Sequence, residues 1–105
     1  VEESSINKEN VPDLMYTKWF DYDKINKLLL RSRQPGDYII IDKKGGKKKL
    51  KDYFIDEKVP REKRDEILLL ADGSHIVWIV GYRISEYFKV SDETKNIIKI
   101  AYDKE

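Results

Sequence analysis

The 105-residue chain contains no cysteine, which excludes disulfides and thiolate metal sites and fits a reducing interior. Its one histidine, His75, puts a histidine-rich zinc site out of reach. Long hydrophobic runs are missing as well. The longest, "ILLLA" at 67–71 and "IVWIV" at 76–80, fall far short of the roughly 20 apolar residues a membrane helix needs. No cleavable signal pattern opens the chain, and it begins at Val1 rather than Met, as an excised or processed piece would. The expected setting is therefore cytoplasmic, with no membrane partner. Nucleotide-binding signatures are lacking too. A Walker loop needs Gly, four residues and then Gly-Lys-Ser/Thr, but Gly46-Lys47 has Ile41 at the first position and Lys48 at the last. The Ser-Gly-Gly-x-Asp-Ser signature of ATP pyrophosphatases is also absent. Asp21/Asp23 and Asp56/Glu57 could hold metal in principle, yet with 39% charged residues such pairs arise by chance. His75, in "DGSH", reads as a surface or strand-edge histidine rather than a catalytic one. No catalytic residue, metal site or cofactor is expected in this chain.

What is present is charge, unevenly placed on a length that suits one domain with one core. Net charge is only +1, but residues 31–51 alone carry +6, flanked by −2 over residues 1–30 and −3 over residues 52–105. Positive charge concentrated in a fifth of the chain is a footprint for an anionic partner, most often nucleic acid, and equally that of a solvated lysine loop.

Residues 1–14, "VEESSINKENVPDL", are polar and aperiodic and read as a linker or lead-in, leaving 15–105 as the domain. "MYTKWFDYDKI" predicts a strand ending near Asp21 to Asp23, and "NKLLLRSR" a second. "QPGD" predicts a turn in which Pro35 sets φ and Gly36 permits positive φ. "YIII" is a third strand, followed by a Lys/Gly loop and a helix from about Lys47 to Glu57 that "KVP" stops. "REKRDEI" is one short helical turn. "ILLLA" and "HIVWIVGY", nearly continuous apolar runs around "DGS", predict a hairpin of inner strands covered on both faces. "YFKV" and "IIKIAY" supply a last strand or two, with "SDETK" as the turn between them. The result is α+β: a single domain of mixed or antiparallel β layers with one main helix packed on them.

"KKGGKKKLKDYF", at 43–54, sets lysines where that helix would begin. A helix N-terminus repels each exposed cation by about 0.3–1 kcal/mol, so these lysines ask for an absent anion, although lysine is also a good helix former. On helical spacing Lys47, Lys51 and Lys58 fall within about 40° of one another and edge the stripe of Leu50, Tyr53 and Phe54. In a strand, Arg31 and Arg33 would share a face about 6.6 Å apart. Arg61 and Arg64, three apart, would share a side of the short turn. Each can instead form a surface ion pair with Asp52, Glu57, Asp65 or Glu66, worth about 0–1 kcal/mol.

Four motifs stand in order: Arg-x-Arg-x-x-Gly-Asp at 31–37, Lys-Leu-Lys at 49–51, Val-Pro-x-x-x-Arg at 59–64 and Val-Trp-x-x-Gly-x-Arg at 77–83. Together they resemble the C-terminal domain of bacterial tRNA(Ile)-lysidine synthetase, from about Trp19 to Ser91. Two spellings differ. The family often has a Pro and a Gly where this chain reads "YIIIDKK", and Ile-Pro-Leu in place of Ile67-Leu68-Leu69. The resemblance implies a fold shared with a module of the phenylalanyl-tRNA synthetase β chain. It also implies a parent enzyme that uses ATP and Mg to adenylate C2 of the wobble cytidine in AUA-decoding tRNA(Ile), before lysine attacks. That chemistry belongs to an N-terminal ATP-pyrophosphatase domain, so no cofactor is implied for this chain. What carries over is a tRNA grip, at the acceptor stem, by Arg31, Arg33, Lys47, Lys48 and Lys51, with the amides of Gly45 and Gly46 between them. Lys58, Arg61, Arg64 and Arg83 would extend it. The implied partners are tRNA(Ile) and the catalytic domain, with a homodimer left open. The alternative is a general RNA-binding module, or a structural or dimerising one without tRNA specificity.

Overall fold

The computed structural model describes residues 2–3 and 16–102, and there two sheets and a helix stack in three layers. Nine strands lie among these residues: β1 Glu2–Glu3, β2 Thr17–Asp21, β3 Leu29–Arg31, β4 Tyr38–Ile40, β5 Lys47–Lys49, β6 Leu69–Asp72, β7 His75–Ile79, β8 Arg83–Ile84 and β9 Ile97–Ala101. The main helix, α1, spans Leu50–Asp56, and a four-residue helix, α2, spans Arg61–Arg64. One sheet has the order β1-β9-β2. The other runs β3-β6-β7-β4-β5, with β8 also on β7. Its β4–β7 pairing, Tyr38 opposite His75, is parallel, and the remaining pairings are antiparallel. The α+β reading holds. Of the expected lead-in over residues 1–14, only β1 lies within the described residues.

The β6–β7 hairpin is the middle of the stack. On one side Leu70, Val77 and Trp78 meet Phe20 of β2 and Ile98 and Ile100 of β9. On the other, Leu69, Ala71, Ile76 and Ile79 meet Leu50, Tyr53 and Phe54 of α1. Burial on both faces explains why these strands read as unbroken apolar runs. The alternation along β7 is interrupted, however. The register passes from Leu70 opposite Trp78 to Ala71 opposite Ile76, leaving Val77 as the extra residue of a β-bulge. Val77 and Trp78 therefore both face the β2–β9 sheet, while Ile76 joins Ile79 on the helix side.

Three expected elements change. The helix expected from Lys47 starts at Leu50, because Lys47, Lys48 and Lys49 pair with Ile40, Ile39 and Tyr38 as an edge strand. "YFKV" is not a strand: Glu86–Phe88 forms a 3-10 turn that drives Phe88 into the core, and Lys89 keeps a single bridge to Phe20. The strand expected over 26–33 is confined to Leu29–Arg31. The Asn26 amide donates to the Asp72 carboxylate, and beyond Arg31 the chain bends into the Gln34–Asp37 turn. That turn is as expected, with Gly36 at φ +89°.

α1 buries Leu50, Tyr53 and Phe54, the i, i+3, i+4 stripe that its sequence predicts. It ends on Lys58 at φ 56°, a left-handed position where glycine is usual, and the Val59 amide then donates to the Phe54 carbonyl. That reversal seats Val59 in the core before Pro60 opens α2.

Candidate nucleic-acid interface

Strand geometry, not helix geometry, arranges the lysines. Side chains alternate along β5, so Lys47 and Lys49 are exposed while Lys48 is half-buried and paired with Asp56 of α1. Lys47 lies over the Tyr38 ring with Nζ 4.1 Å from its centroid, and the ring's partner in the stack is His75, 4.8 Å away. Beside this strand the Gln34–Asp37 turn and the start of α1 enclose a cleft of about 620 Å³, whose basic lining is Arg33, Lys47, Lys49 and Lys51. Arg33 is tied to Asp65 just past α2, Nε to Oδ1 2.7 Å. The Lys49 and Lys51 side chains have no hydrogen-bond or ion-pair partner among the described residues.

Arg31 is placed differently. Both its Nη atoms reach the Asp37 carboxylate, at 2.9 and 2.8 Å, and they also donate to the Ser32 and Gly73 carbonyls. The two side chains are only 12% and 2% exposed. The Asp37 hydrogen bond raises the guanidinium's pKa above its ordinary value, against the opposing effect of burial. Arg31 and Arg33 therefore do not form a pair on one strand face: the first is inside, the second lies beyond the strand.

The glycine amides are also spoken for. Asp42 Oδ1 accepts from Lys44 N and Gly46 N, both at 2.9 Å, and the Gly45 amide donates to the Asp42 carbonyl. A Cβ at Gly46 would come within 2.6 Å of Asp42 Oδ2, so glycine there admits a carboxylate of the chain itself. The first amide of α1, on Leu50, donates to the Asp37 carbonyl at 2.9 Å. Lys47 and Lys48 thus lie ahead of a short helix, Lys49 at its cap and Lys51 in its first turn, and the helix's first amide is already occupied.

The outlying basic residues divide in two. Arg64 Nε donates to the Val59 carbonyl, and Arg83 to the Ile84 and Ile41 carbonyls and to Glu86, so both brace the fold. Lys58 and Arg61 are exposed. Arg61 does not line the cleft, which on this side is bounded by Asp65 just past α2. Lys49 was not among the expected contacts. The signal for it is the two-residue spacing of Lys47, Lys49 and Lys51, visible only if "KKKLK" is read as a strand running into a helix.

Two other features lie apart from this cleft. His75 Nε2 lies 2.8 Å from Ser85 Oγ, but Ser85 is fully buried and its hydroxyl also meets the Ile40 amide, so the serine is no nucleophile. Nor is His75 at a strand edge: it is half-buried at the start of inner strand β7. A second cleft sets Lys24, Lys43 and Lys89 against Asp42, Glu86 and Asp92, and its charges balance. Among the described residues no cluster of three His, Asp or Glu could hold a metal, and no helix is long and apolar enough to cross a membrane.

Comparison with known proteins matches residues 28–101 to the TilS substrate C-terminal domain family. The tRNA(Ile)-lysidine synthase of Caldanaerobacter subterraneus subsp. tengcongensis is 53% identical over 91 residues, 86% of this chain and 20% of that protein. The tRNA(Ile)-lysidine synthase of Clostridium tetani is 47% identical over 103 residues, 97% of this chain and 22% of that protein. A solved structure described as the crystal structure of TILS C-terminal domain superposes with a TM-score of 0.64 at 27% identity, covering 91% of this chain and 80% of its own. The chain spans about a fifth of the length of the curated relatives it matches.

Proposed function

The chain belongs to the TilS substrate C-terminal domain family, and from that premise we propose that it is the tRNA-holding part of a longer tRNA(Ile)-lysidine synthase. In this reading the ATP- and Mg-dependent attachment of lysine to the wobble cytidine belongs to a catalytic domain outside the chain. These residues grip the phosphates of tRNA(Ile) at its acceptor stem. The observation that carries the reading is the gathering of Arg33, Lys47, Lys49 and Lys51 round one cleft, with the Lys49 and Lys51 side chains left without partners among the described residues. Like charges crowded on a concave surface repel one another in the free protein, and a polyanion reverses the sign of that energy.

The cleft offers charge more than base recognition. The Tyr38 ring is occupied by Lys47 and His75, so it is not an open platform for a base. That favours contact with backbone and shape, the mode suited to an A-form stem whose major groove is deep and narrow. It also favours, as a second reading, similar affinity of this chain alone for other duplex RNAs, with selection of tRNA(Ile) made elsewhere in the enzyme.

The test is a titration with a tRNA(Ile) transcript at several salt concentrations. The logarithm of affinity should fall against log salt with a slope of about −0.7 to −0.9 per phosphate contact. Replacing Lys47, Lys49 and Lys51 together by Gln should weaken binding and flatten that slope by roughly two to three units. A triple variant that binds as tightly as the parent at low salt overturns the proposal.

A further inference from the structure

The buried Arg31–Asp37 pair joins the Gln34–Asp37 turn, the β6–β7 hairpin and the start of α1 around the cleft. Asp37 Oδ2 accepts from the Gln34 amide at 2.8 Å, and the Asp37 amide donates to the Gln34 carbonyl at 3.3 Å, which closes the turn. The Asp37 carbonyl accepts the Leu50 amide at 2.9 Å and so fixes the chain between Lys49 and Lys51. Arg31 holds the Asp37 carboxylate with both Nη atoms and anchors it to the β6–β7 hairpin through the Gly73 carbonyl. Tyr38, the next residue, donates to the Ser74 carbonyl of the same hairpin at 3.0 Å. One ion pair therefore sets the turn, the β4–β5 edge and the first turn of α1 relative to one another.

The pair is also closed to a ligand. Each Nη atom makes two hydrogen bonds within the protein, so the planar fork that would chelate a phosphate is already engaged. We propose that Arg31 and Asp37 are positioning residues for the RNA site: they hold Lys49, Lys51 and the Gln34–Asp37 wall in register while touching no phosphate themselves. This rests on the reading of the cleft as an RNA site.

Two substitutions separate positioning from direct contact. Arg31→Lys keeps the charge and loses the fork. Positioning predicts an affinity loss for the tRNA(Ile) transcript of about tenfold or more, the scale of one charge-assisted hydrogen bond, with the salt slope of the parent. A direct phosphate contact predicts near-parent affinity instead. Asp37→Asn removes a negative charge beside the cleft, so simple electrostatics predicts tighter binding, whereas positioning predicts weaker binding. Circular dichroism and a thermal melt establish that each variant is folded at the titration temperature. Should either unfold, the parent still decides by arginine modification with phenylglyoxal, read by mass spectrometry. Arg31 should be unreactive with and without tRNA, and an Arg31 that reacts in the free protein but is shielded by tRNA overturns the proposal. The lysine triple variant is run alongside. If it loses binding while both single variants keep it, only the positioning role fails. If it binds like the parent, the RNA site itself fails.

Discussion

At one edge of the six-stranded sheet β5 is three lysines, while at the other β3 exposes Leu29 and Leu30, 57% and 50% accessible. Both strands are three residues long, and among the described residues each pairs on one side only. An open edge is a template for unwanted strand pairing, and lysine on an edge is a common guard against it. Guarding alone accounts for charge on β5. It does not account for a cleft beside β5, nor for a third lysine, Lys51, continuing the two-residue spacing into α1. The β3 edge does without such a guard. Its one basic residue, Arg31, is turned inward to Asp37. Two residue types of the same charge are thus used in opposite ways about twenty positions apart: arginine inside for rigid bidentate bonding, lysine outside as mobile point charge.

The change with the largest expected effect removes what both edges share. Trp78 of β7 lies between them, 1% exposed, packed against Phe20 with ring centroids 6.2 Å apart. Its indole N–H has no hydrogen-bond partner among the described residues, so truncation removes packing and leaves no orphaned acceptor there. Trp78→Ala should cost about 3–5 kcal/mol in urea melts, a large part of the roughly 5–15 kcal/mol that holds a small domain together. A loss below about 1 kcal/mol would mean that β7 is not the common support of the two edges.

How far this could be seen in the sequence depends on what each feature requires. Burial of β7 on both faces was legible, because "IVWIV" offers no polar side to present to water. The bulge at Val77 was not, since a run of apolar residues reads alike in either register. The start of α1 is hidden in the sequence for a related reason. Lysine is a fair helix former, and identical neighbours hide which of them alternate. The Arg-x-Arg-x-x-Gly-Asp segment showed its turn through Pro35 and Gly36, which act locally. The role of Asp37 depends on Leu50 and, through Arg31, on Gly73, distant in the chain, and no local rule points there.

A smaller effect should separate edge guarding from binding. Leu29→Lys gives β3 the guard it lacks. The side chain is mostly exposed, and the lysine stem can cover much of what leucine covered, so stability should change by less than about 1 kcal/mol. Solubility should improve or hold. If charge on any sheet edge were enough to attract RNA, this variant would bind the tRNA(Ile) transcript more tightly with a steeper salt slope. If the cleft is required, affinity and slope stay with the parent, and that is the outcome expected.

The smallest effect concerns pH and falls on the β5 side alone. His75 stacks on Tyr38 beneath Lys47, with Tyr87 and Phe88 against its ring, Ser85 on Nε2 and Asp72 nearby on β6. Burial lowers its pKa, and Lys47 lowers it further against the opposing pull of Asp72. In the unfolded chain the imidazole titrates near its ordinary value of about 6.5. Between the lowered folded value and about 6.5 the unfolded state therefore binds more protons, so stability rises with pH across that window and this contribution levels off above it. His75→Gln should flatten the stability profile there and leave it unchanged well above. Because protonation places a cation against the ring that carries Lys47, amide protection factors, which are corrected for the slower intrinsic exchange at lower pH, should fall in β4 and β5 as pH falls through the window. In β3 and its partner β6 they should fall less. An equal fall at the two edges, or a His75→Gln profile parallel to the parent's, would show that the histidine is not coupled to the lysine edge.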